Sequence, residues 1–163
     1  MIITPHLLLG AAIGAKIKNF GWIIVLALLS HALLDKIPHW DYGNKETKRF
    51  AESKSYKTLF TFFLKLLIDG LIGLIIVIPV ILLKNMIKTE RLIFIFFGIF
   101  VSLLPDVILG IAKLSYQKFK FSKSYVDFHD KFLHNPKHIK KPTVIGLGAE
   151  ILISIIAILI ILL

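Results

Sequence analysis

Three apolar runs decide what this chain can become. Residues 58–84, 91–113 and 143–163 carry few charges, and at about 1.5 Å per helical residue each reaches across a hydrocarbon core of about 30 Å. A bilayer admits only helices or closed barrels, because every backbone polar group must be satisfied internally, and these runs show no two-residue alternation. Each is predicted to be a spanning helix. Two shorter apolar stretches, 4–17 and 21–36, precede them, separated by the polar turn at Lys18-Asn19 and by Gly21. They are predicted to pair as a helical hairpin. The expected fold class is therefore all-α, a polytopic membrane helix bundle in which a short N-terminal hairpin joins three longer transmembrane helices. A single integral membrane domain is expected over residues 1–163. Hydrophobic residues make up 56% of the chain and charged ones 18%, which leaves no room for a soluble catalytic domain beside the bundle. Any chemistry must sit among the helices.

Charge orients such a bundle. The formal net charge is +10, from 20 Lys+Arg against 10 Asp+Glu, and in a membrane protein a basic excess reports topology, so nucleic acid is not an expected partner. The loop 36–57 holds Lys36, Lys45, Lys48, Arg49, Lys54 and Lys57. The loop 113–142 holds Lys113, Lys118, Lys120, Lys123, Lys131, Lys137, Lys140 and Lys141. If the five segments alternate in direction, both loops lie on one side, and only Lys16, Lys18, Lys84, Lys88 and Arg91 fall on the other. The N-terminus and both loops are therefore expected in the cytoplasm, with the protein in a prokaryotic cytoplasmic membrane. Lys16 and Lys18 follow the first apolar run rather than precede it, so no cleaved signal is expected. Cysteine is absent, which excludes disulfides, thiolate metal sites and cysteine nucleophiles. Nothing in the sequence sets the oligomeric state.

Seven ionisable residues fall inside the apolar segments: His6, His31, Asp35, Lys65, Asp69, Asp106 and Glu150. Such residues are costly at membrane depth unless they face the bundle interior and find partners. His31 and Asp35 are four apart and share a helix face. Counting from the turn at 18–19, His6 comes level with His31, while Asp106, Asp69 and Glu150 lie one to three turns from the same end of their helices. All five segments can thus bring a side chain to one layer. Four carboxylates against the single Lys65 would take up protons or hold cations, and imidazole with carboxylate suits a divalent metal, Zn²⁺ or else Mn²⁺ or Fe²⁺. Local readings compete residue by residue. Lys65 and Asp69 suit an intrahelical pair, Asp106 after Pro105 suits a helix cap, and Glu150 suits a bond across the small residues Gly146, Gly148 and Ala149. Two loop clusters adjoin the site. Pro38-His39-Trp40-Asp41-Tyr42 divides between a site and an aromatic belt, and the run around His129, His134 and His138 offers acid or base groups.

The runs Thr4-Pro5-His6-Leu7-Leu8-Leu9-Gly10-Ala11 and Ser30-His31-Ala32-Leu33-Leu34-Asp35-Lys36-Ile37-Pro38-His39-Trp40-Asp41 resemble the YdjM-like family of predicted membrane-bound metal-dependent hydrolases. Asp69 before Gly70, and Asp106 after Pro105, resemble that family's scattered intramembrane acids. The element His31-x-x-x-Asp35 is similar to a metal-binding element of zinc-dependent phospholipases C. No His lies four before Glu150, so the resemblance carries over only His6, His31 and Asp35. On this reading the chain is a membrane-embedded metal-dependent hydrolase of a phosphoester such as a phospholipid. His6, His31, Asp35 and Asp106 bind the metal, Asp69 and Glu150 serve as ligands or general base, and His129 or His134 protonates the leaving group. Membrane lipid and anionic headgroups are its expected partners. The alternative is a non-enzymatic membrane protein, in which the same residues form a cation or proton site or hold the helices together.

Overall fold

The computed structural model describes residues 3–37, 39, 55–114, 120–129, 131 and 144–163. Six helices are formed among them, with no strand: α1 (Ile3–Lys16), α2 (Phe20–Leu34), α3 (Tyr56–Leu83), α4 (Thr89–Leu114), α5 (Lys120–Phe128) and α6 (Val144–Leu162). α3, α4 and α6 are long and apolar enough to cross a membrane, as expected for an integral membrane protein. The N-terminal pair α1 and α2 forms within two residues of its expected bounds. The loop expected over 113–142 differs, because it contains α5.

α1 is the axis of the bundle. Ten of its 14 residues are buried, from Thr4 to Ala15, and it packs against α2, α3, α4 and α6. Small side chains make this possible. A Cβ on Gly14 would lie 2.1 Å from the Phe94 carbonyl oxygen, and one on Gly98 would lie 2.3 Å from that of Gly10, so α1 and α4 touch backbone to backbone. Gly10-x-x-x-Gly14 is the spacing with which membrane helices approach closely. Leu7, Leu8, Ala11, Ala12 and Ala15 then meet Val77, Val80 and Ile81 of α3, Ile95 and Ile99 of α4, and Ala157 and Ile161 of α6.

The outer surface is apolar too. Leu67, Leu71, Ile75 and Ile78 on α3, Phe96 and Phe100 on α4, and Leu152 and Ile155 on α6 are all exposed. Apart from the exposed Lys65, the ionisable side chains of the apolar segments are turned inward, the arrangement that a lipid solvent selects. α1 runs antiparallel to α4, since Gly10 meets Gly98 and Gly14 meets Phe94, and parallel to α3, since Thr4 meets Asp69 and Leu7 meets Gly73. The turn after α1 and the turn before α4 meet at one end, where Lys18, Asn85, Lys88 and Arg91 help to line a cavity of about 290 Å³. The opposite end collects the buried ionisable groups.

Candidate metal centre

α2 presents one narrow buried stripe, Ile23, Ala27, His31 and Leu34, and Asp35 follows at its C-terminus. Spacing by four sets His31 Nε2 3.3 Å from Asp35 Oδ2, with both side chains 1% exposed. From the facing helix α4, Ser102 makes two bonds just ahead of Pro105, which removes one backbone N–H from that turn. Its hydroxyl donates to the His6 carbonyl at 2.8 Å, and its carbonyl accepts from His31 Nδ1 at 2.8 Å. A carbonyl only accepts, so Nδ1 carries a proton, and Nε2 is the nitrogen left to face Asp35. That nitrogen makes no hydrogen bond, although a carboxylate oxygen lies 3.3 Å away. Two facing acceptors repel unless a proton or a metal ion lies between them.

Two more residues converge on this point. α4 sets Asp106 Oδ1 3.9 Å from His31 Nε2. The end of α5 delivers His129, whose Nε2 lies 3.6 Å from Asp35 Oδ2. One ligand atom from each of His31, Asp35, Asp106 and His129 falls within a sphere of contacts no longer than 4.8 Å. A tetrahedral ion with bonds of about 2.0–2.2 Å holds its ligand atoms about 3.3–3.6 Å apart. The His31–Asp35 and Asp35–His129 spacings match that requirement and the others stay within 4.8 Å, so these four residues could hold a divalent metal ion. The group is buried except on one side, where Asp106 is 26% exposed.

His6 stands beside the four. Fully buried, it stacks on His31 with ring centroids 4.3 Å apart, and its Nε2 lies 3.3 Å from Asp35 Oδ1. Asp35 thus turns one oxygen to His6 and the other to His31 and His129. Tyr125 closes the α5 side by donating its hydroxyl to the Pro105 carbonyl at 3.2 Å. Burial, with the Asp106 and Asp35 carboxylates adding, pushes its phenol up and keeps it a donor.

Other expected residues go elsewhere. Asp69 accepts from the Ile3 N–H, from the Thr4 N–H at 3.3 Å and from the Thr4 hydroxyl at 2.6 Å. It therefore caps α1, where a negative charge also meets the helix dipole, and it stands apart from the four converging residues. Glu150 is buried on the inward stripe of α6 with Gly146, Ala157 and Ile161, also apart from the group. His129, read from sequence as a proton donor, joins the ligand group itself. Lys65 is exposed. His39 is buried and bonds the Ile37 carbonyl through Nδ1 at 2.7 Å. His134 and His138, with Pro38 and 40–42, lie outside the described residues. Ser102, absent from the sequence reading, had one signal: it lies four before Asp106, on the same helix face. Comparison with family models, with curated proteins and with solved structures yields no match.

Proposed function

We propose that this chain is a membrane-embedded, metal-dependent hydrolase of a phosphoester. One observation carries the proposal: His31 Nε2, its ring held through Nδ1 by the Ser102 carbonyl, lies 3.3 Å from the Asp35 carboxylate where Asp106 and His129 also converge. His31, Asp35 and His129 would hold a zinc ion there, and such an ion would supply an acidified water and polarise a phosphoryl oxygen. Asp106, at the exposed edge, would take the proton from the attacking water. The likeness of residues 4–11 and 30–41 to YdjM-like hydrolases implies the same chemistry.

A relay would need ionisable side chains staggered across the bilayer. The half of the bundle beyond Ala11 is instead filled by Ala12, Ala15, Val77, Ile81, Ile95 and Ile161, an apolar plug that offers no further step. To test the hydrolase, the zinc-loaded protein in lipid vesicles would be assayed for release of the headgroup from phospholipids and for cleavage of bis(p-nitrophenyl) phosphate. Asp106→Asn is expected to cut turnover at least 100-fold while zinc stays bound. Turnover unchanged by that substitution would overturn the role of Asp106, and zinc-loaded protein inert on both substrates would overturn the phosphoester reading.

A further inference from the structure

α5 differs from every other described helix in being polar, and its residues, with His129 and Lys131 just beyond its end, divide into three faces. Ser122, Val126 and His129 recur at i, i+4 and i+7 and are buried, so this face is seated on the bundle. Phe121 and Phe128, seven apart on a second face, are 75% and 50% exposed. Lys120, Lys123, Asp127 and Lys131 are exposed on the third, with cations in excess. Its main packing partner among the described helices is α4, and the Tyr125 hydroxyl bonds the Pro105 carbonyl there. α5 also leads into His129, whose Nε2 lies 3.6 Å from Asp35.

Depth says what covers the aromatic face. If Arg91 marks one boundary of a hydrocarbon layer about 30 Å thick, the other boundary falls about 20 residues along α4, near residue 111. Asp106 then lies about 8 Å inside it. Because Tyr125 bonds Pro105, α5 lies beside this boundary region, where aromatic rings settle at the level of the headgroups and lysines reach anionic lipid.

We propose that α5 docks on an anionic bilayer surface through Phe121 and Phe128, and that this docking holds His129 in the ligand group, so that metal occupancy depends on the lipid. The second half of this statement rests on the metal reading above; the first does not.

Two measurements in vesicles of phosphatidylcholine and phosphatidylglycerol test it. A single-tryptophan reporter, Phe128→Trp with Trp22→Phe and Trp40→Phe, is expected to be quenched by bromines placed high on the acyl chains. Unquenched, water-exposed emission would overturn the docking. Zinc titration of wild type and of the double variant Phe121→Ser/Phe128→Ser is expected to show roughly tenfold weaker binding in the variant, with affinity restored in Phe121→Leu/Phe128→Leu. Equal affinity in all three would overturn the coupling. A wild type that binds no zinc removes the coupling together with the metal reading, while the quenching still reports where α5 lies.

Discussion

A carboxylate inside an apolar bundle needs a partner, and the partners differ from one acid to the next. Asp35 is surrounded by the imidazoles of His6, His31 and His129, whereas Asp69 is occupied by the N-terminus of α1. The two should therefore part under mutation. Asp69→Asn is expected to destabilise the bundle by about 2 kcal/mol, the scale of losing hydrogen bonds to a charged group, while bound zinc per protein stays unchanged. Thermal unfolding in detergent beside metal analysis checks both halves, and loss of zinc in this variant would return Asp69 to the site. The residue types were legible in the sequence, because His6, His31, Asp35 and Asp106 are ionisable residues in apolar runs. Their division of labour was not. Capping by Asp69 depends on the start of α1 lying against the middle of α3, and the ligand position of His129 depends on where α5 folds back; both are tertiary facts without a local pattern. Ser102 was hidden because a single serine in a helix is ordinary, and only its two bonds, to His6 and His31, give it importance.

Among the helices, α1 and α4 carry the architecture through their glycine contact. Any side chain at Gly98 meets the backbone of α1 rather than a movable side chain, so the helices themselves would have to part. Gly98→Ala is expected to cost about 3 kcal/mol, the upper end of overpacking penalties, and to lower the unfolding temperature in detergent. Gly70→Ala, where a Cβ meets nothing within 4 Å, serves as the control. Equal stability of the two variants would contradict the close crossing. The spanning helices were legible because length and continuous apolarity suffice for them, and their ends agree with expectation to within two residues. α5 escaped because nine residues give little periodic signal, and its lysines blended with the basic stretch around it. In hindsight the recurrence of Phe121, Tyr125 and Phe128 at i, i+4 and i+7 was its trace.

At the scale of the whole molecule, the bundle is polarised along its axis. One end gathers His6, His31, Asp35, Asp106, His129 and Glu150, and beyond them the interior is closed by aliphatic side chains. A group of acids and imidazoles that, among the described residues, opens at Asp106 suits a site approached from one side. What decides between this account and a protonated His31–Asp35 pair is whether an ion lies between them. The measurement is metal content per protein by inductively coupled plasma mass spectrometry on detergent-solubilised protein, wild type beside His31→Ala and Asp35→Ala, purified without chelator and again after reloading with zinc. The account predicts about one equivalent or more of divalent metal in wild type and loss of it in both variants. Wild type without metal after reloading, or unchanged content in either variant, would contradict it.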